Sequence, residues 1–102
     1  MITKDQYTIK NIDDYYTDEL YQLEVESKGC LFGVLVETKI NSFELSFYDT
    51  ERFKQDIDDE LIENNYVYEF NVILLNKVNL KNIVNSIDGL WKDNEFQYLV
   101  PK

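Results

Sequence analysis

The chain has 102 residues, 44% of them hydrophobic and 15% aromatic, with a net charge of −10 and no histidine. That length fits one domain over 1–102, and the apolar content supports a folded core rather than a disordered chain. The missing histidine removes Ser-His-Asp triads, Cys-His pairs and His-ligated zinc, and the excess acid opposes direct binding to nucleic acid, whose phosphates require Lys and Arg.

The charge is unevenly placed. Residues 13–26 carry six acids and no base, and residues 51–63 carry six acids against Arg52 and Lys54. These two stretches account for the whole imbalance. A basic protein is their natural complement; the plainer reading is that the charge keeps the chain soluble. The single cysteine, Cys30, excludes an internal disulfide and points to a reducing, cytoplasmic setting. Followed by Leu31 and Phe32, it reads as a small buried hydrophobe. The longest unbroken apolar run, Val72 to Leu75, is far short of a membrane span, and Met1 to Asp5 has no signal-like apolar core. No membrane association is expected.

In chain order, Tyr7 and Ile9 alternate with polar residues and predict a short edge strand. Residues 11–19 read as a loop or one helical turn. Tyr21, Leu23 and Val25 alternate with Gln22, Glu24 and Glu26, which predicts a half-buried strand. Ser27-Lys28-Gly29 then reads as a hairpin turn. Cys30 to Ile40 is rich in β-branched and aromatic residues and predicts a central strand, with Gly33 marking a bulge or a close approach. Asn41-Ser42 is the next turn, and Phe43, Leu45 and Phe47 line the third strand.

The period then changes. Phe53, Ile57 and Leu61 recur every four residues and predict the inner face of a helix from Asp49 or Thr50 to about Glu63. Asn64-Asn65 is its stop. Tyr66 to Leu75 predicts a long fourth strand, with Tyr66, Tyr68, Phe70, Val72 and Leu74 on one face. Asn79 is the second N-cap, and Leu80, Ile83, Val84, Ile87, Leu90 and Trp91 define the most strongly amphipathic helix of the chain. Phe96 to Val100 reads as a last short strand before Pro101. The expected fold is α+β: an antiparallel three-strand meander, a helix, a fourth strand and a second helix (β-β-β-α-β-α), with the helices on one sheet face. A parallel pairing of 66–75 with 43–47 would make the first helix a crossover.

Two stretches are candidates for contact with a partner. On the first helix, Asp56, Asp59, Glu60 and Glu63 share a face. Catalysis needs carboxylates in unlike environments, and these read as alike and solvated. Calcium needs a loop glycine and a distal ligand that are missing. A docking face and a merely solvated face both fit. The second stretch, Asp13, Asp14, Tyr15, Tyr16, Asp18 and Glu19, interleaves acids with tyrosines and suits contact with Lys and Arg. A plain surface loop fits it equally well. Trp91 lies on the apolar stripe and reads as core. No catalytic residue, metal or cofactor is expected, and no enzyme activity.

The junction Phe47-Tyr-Asp-Thr-Glu-Arg-Phe53, the acidic helix after it, and Asn71-Val-Ile-Leu-Leu-Asn-Lys-Val-Asn-Leu-Lys-Asn-Ile-Val-Asn-Ser-Ile87 resemble small immunity proteins. These are the inhibitors encoded beside bacterial polymorphic toxins, including contact-dependent growth inhibition systems. The resemblance covers roughly residues 43–90. It implies a cytoplasmic protein that binds and neutralises one toxin domain, often a nuclease. A nuclease must be basic to hold phosphates, so an acidic surface suits it. The same charge suits a DNA-mimic inhibitor of a restriction or CRISPR enzyme, and a small ligand-binding domain is a further alternative.

Overall fold

The computed structural model describes residues 1–12 and 18–102. Five strands form one sheet in the spatial order β1 (Ile2–Thr3), β2 (Tyr7–Lys10), β3 (Cys30–Thr38), β4 (Ser42–Asp49), β5 (Val72–Leu75). Helix α1 (Glu19–Lys28) separates β2 from β3, α2 (Thr50–Asn64) joins β4 to β5, and α3 (Leu80–Lys92) leads into a 3-10 turn at Glu95–Tyr98. Neighbouring strands are antiparallel except β4 and β5, which run parallel. The class is α+β, as expected, and α2 is a crossover between parallel strands. The element order is β-β-α-β-β-α-β-α rather than β-β-β-α-β-α.

Three expected strands take other forms. Residues 21–25 belong to α1. Asp18 caps that helix, its Oδ1 accepting from the Tyr21 amide at 3.1 Å. Gly29 ends it at φ +75, donating its amide to the Val25 carbonyl. With both caps in place the helix wins over the alternation, and only Val25 is buried. Residues 66–70 form no strand, and only Val72–Leu75 pairs with β4. Asn71, at φ +54, turns the chain there. Its side-chain Nδ2 donates to Glu44 O at 3.2 Å and to Val100 O at 2.8 Å, and its Oδ1 accepts from the Val100 backbone amide at 2.8 Å. The Lys102 amide then bonds Ser42 O at 2.7 Å, so residues 100–102 take the stretch of β4 that 66–70 would have used. The expected strand at 96–100 is the 3-10 turn followed by this segment.

Other expectations hold. β3 is the central strand of the five. The β3–β4 register shifts between Leu31 and Val34, around Gly33 at φ +74, which is the anticipated bulge. Asp49 caps α2, its Oδ1 2.8 Å from the Arg52 amide, and Asn65 closes it at φ +64. Asn79 caps α3 through the Asn82 amide at 2.9 Å.

Successive strand residues point to opposite sheet faces. On one face Ile9, Val34, Val36, Phe43, Leu45 and Phe47 meet Val25 of α1 and Ile83 and Ile87 of α3 in the main core. Tyr7, Trp91 and Phe96 close its end, Trp91 and Phe96 edge to face at 5.2 Å. Trp91 is thus a core-edge residue, as its stripe predicts. The other face carries a small aromatic satellite in which Tyr48 sits 5.3 Å from Phe32 and 5.1 Å from Phe53 of α2. The helices therefore do not share one face. α1 and α3 cover the main core, and α2 leans on the satellite through Tyr48.

Two measurements probe this arrangement. Asn71→Ala removes three hydrogen bonds and places alanine in the left-handed region, so urea unfolding should show a loss of about 2–4 kcal/mol. Tyr7 donates to Asp88 Oδ1 at 2.9 Å. Burial first, then the hydrogen bond and charge of Asp88, push the Tyr7 phenol up to about 12. The native state thus holds the neutral phenol more strongly than the unfolded chain does. This contribution is complete below the ordinary value of 10.0 and is lost as pH climbs to about 12. Thermal unfolding followed between those pH values should fall less steeply in Tyr7→Phe than in the parent.

Candidate functional site

Helix α2 is unusual in its packing, because none of its residues is buried. Phe53 and Ile57 are half-buried against the satellite, whereas Leu61, expected on the inner face, is exposed. The helix forms because Asp49 and Asn65 cap it, Glu51 complements the positive end of its dipole, and two i,i+4 pairs brace it. These are Arg52–Asp56 at 3.0 Å and Lys54–Asp58 at 3.4 Å, both on the spacing the sequence provides.

Between α2 and residues 67–69 lies an open groove of about 240 Å³. Tyr48, Phe53, Ile57 and Val67 provide its apolar lining, and Asp56, Asp59, Glu60 and Glu69 provide four carboxylates with no base among them. Asp56 is neutralised by Arg52, whose charged form that hydrogen bond, above all, favours. Asp59, Glu60 and Glu69 form no ion pair among the described residues. The Tyr48 phenol is raised above its ordinary value, first by burial and then by the charges of Asp56 and Glu69. Its hydroxyl therefore stays a neutral donor under the carboxylates. An aromatic wall beneath unpaired carboxylates suits a Lys or Arg side chain, with the stem on the rings and the head among the acids.

The structure brings Asp56, Asp59 and Glu60 together at this groove, while Glu63 lies exposed one turn further along α2. Asp18 and Glu19 are elsewhere. Asp18 spends one oxygen on the α1 cap, and Glu19 stands exposed in the first turn of that helix. Because α1 rests on the main core and beside the start of α3 (Glu26 is 3.9 Å from Lys77), the two acidic stretches have different supports. Asp13, Asp14, Tyr15 and Tyr16 lie outside the described residues. Sequence reasoning missed Tyr48, Val67 and Glu69. Tyr48 was legible only through its place beside Phe47, on the opposite parity of β4.

An aromatic stretch continues from the groove. Tyr66, Tyr68 and Phe70 are exposed, Tyr68 at 77% of its surface, with Tyr68 and Phe70 rings 6.5 Å apart. Ile62 on the last turn of α2 is exposed at 82%. Exposed tyrosine and phenylalanine beside unpaired acids are the composition of an interface centre with a charged rim. Among the described residues, no three His, Cys, Asp or Glu side chains converge as a metal ion would need, and no helix is long and apolar enough to cross a membrane.

No protein-family model, curated protein or solved structure matches the chain.

The satellite is the mechanical support of the groove. Phe47→Ala cuts into the main core and should cost about 3–5 kcal/mol in denaturant unfolding. Phe53→Ala should cost only about 1–2 kcal/mol, because its ring is only partly buried, while far-ultraviolet circular dichroism shows α2 fraying ahead of the global transition.

Proposed function

We propose that this chain is a binding protein of the immunity kind, which docks the acidic, aromatic face of α2 and residues 66–70 on a basic protein. The partner class is the one the resemblance at residues 43–90 implies: the toxin domain of a bacterial polymorphic toxin, a nuclease above all. The chain acts by binding and carries out no chemistry of its own, in a cytoplasmic setting. The observation that carries the reading is the groove of α2, with Asp59, Glu60 and Glu69 unpaired over Tyr48 and Phe53. Like charges at i,i+4 cost a helix a few tenths of a kcal/mol per pair, and α2 buries none of its residues in return. Contact with a basic surface would offset that cost, speed encounter, and fill a groove that the protein itself leaves open.

The test is binding to the protein encoded in the adjacent reading frame. Titration calorimetry should show a 1:1 complex that weakens at least about tenfold between low and high salt, as a charge-steered interface requires. The triple reversal Asp56→Lys, Asp59→Lys, Glu60→Lys should keep the native circular dichroism and lose at least about a hundredfold in affinity. Unchanged affinity would leave this helix face a solvated surface. A neighbouring frame with no toxin-like domain, together with binding to several unrelated DNA-handling proteins, would transfer the reading to a DNA mimic.

A further inference from the structure

Strand β5 ends the sheet, and among the described residues its one strand partner is β4. Asn71 O accepts from the Ser46 amide at 3.0 Å. Backbone direction alternates along a strand, so Ile73 and Leu75 turn their peptide groups toward β4 while Val72 and Leu74 turn theirs outward. Among the described residues, no backbone hydrogen bond outside the regular elements ends on Val72 or Leu74. The edge is short, at four residues, but Val72-Ile-Leu-Leu75 contains no lysine, proline or bulge to block pairing. Leu74 is half exposed, and the stretch feeding the strand presents Phe70, Tyr68 and Tyr66. An apolar edge with unpaired donors and acceptors is a template for another strand.

Charge selects the occupant. Glu69 stands next to the edge, and with Asp56, Asp59 and Glu60 it lines the adjoining groove. A second copy of this chain, at net −10, would add like charge to an edge that already stands beside these carboxylates. We infer that β5 takes an extended, lysine- or arginine-bearing segment of the partner as a sixth strand. That segment bonds the peptide groups of Val72 and Leu74, and its cationic side chains reach Glu69 and the groove. This mode of contact rests on the docking function proposed above and adds a specific element to it: the main chain of the partner, not only its charge, is recognised. Backbone pairing supplies affinity that is indifferent to sequence, and the groove supplies the preference for cations.

The experiment uses the intact protein and a synthetic decapeptide of alternating lysine and valine, with two variants N-methylated on one or the other alternate set of residues. Amide exchange read by NMR at saturating peptide should slow at least about tenfold at Val72 and Leu74, and one methylated variant should lose at least about tenfold in affinity while the other binds like the parent. A peptide of alternating serine and valine should bind at least about tenfold more weakly. Binding with unchanged exchange at Val72 and Leu74, and with both methylated variants equivalent, would overturn strand addition and leave the acidic docking surface standing. No binding at about 1 mM peptide would overturn it too, as would serine–valine binding equal to lysine–valine. So would a concentration-dependent dimer of the protein alone, with Val72 and Leu74 protected in it.

Discussion

Three consecutive residues at the end of β4 set the terms for the rest of the molecule. Phe47 enters the main core, Tyr48 faces the opposite side and carries the satellite, and Asp49 caps α2. Because side chains alternate, these assignments stand or fall together: a slip of one residue would put the Tyr48 hydroxyl in the core and Phe47 in water. The register is held from β3. Leu31 lies opposite Phe47, the bulge at Gly33 restores the alignment of Val34 with Leu45, and the Asp49 amide bonds Gly29 O at 2.8 Å. Gly29 has no room for a side chain, since a Cβ there would meet the Asp49 carboxylate. The end of α1 and the start of α2 are thus fitted against one carboxyl group.

This division explains why the acidic surface sits where it does. The main core is closed by two helices and by residues from both ends of the described chain, so its apolar surface is satisfied internally. On the opposite face Tyr48, flanked by Phe32, meets Phe53 of the most acidic helix. A helix kept by caps, i,i+4 pairs and a few rings has little to lose in local stability when it meets another surface, which is a property shared by many binding elements. The proposed docking surface and the open strand edge adjoin because both follow from the single crossover between β4 and β5.

How much of this the sequence revealed depended on which physical signal dominated locally. Where apolar periodicity and caps agreed, as in Asp49 to Asn65 and in Asn79 to Lys92, the elements and their boundaries were legible. The bulge at Gly33 was legible too, because glycine inside a strand is rarely neutral. At residues 19–28 the two signals disagreed. Tyr21, Leu23 and Val25 alternate like a strand, but Asp18 and Gly29 are helix caps with ten residues between them, and the caps won. At 66–70 the alternation was present and yet no partner was free, because Asn71 and residues 100–102 occupy that length of β4. Competition for one strand edge is a long-range fact that local pattern does not carry. The acids of α2 were found from charge alone, whereas Tyr48 and Glu69 needed the fold.

The hydrogen bond between Tyr7 and Asp88 spans 81 positions of chain, and the rings of Tyr7, Trp91 and Phe96 pack together around it. The first hairpin therefore finishes its packing against residues made much later. During synthesis, at roughly 5–20 residues per second, β2 must wait several seconds for its counterpart to leave the ribosome. Throughout that interval Tyr7 and Ile9 lack the cover that α3 and the turn after it supply.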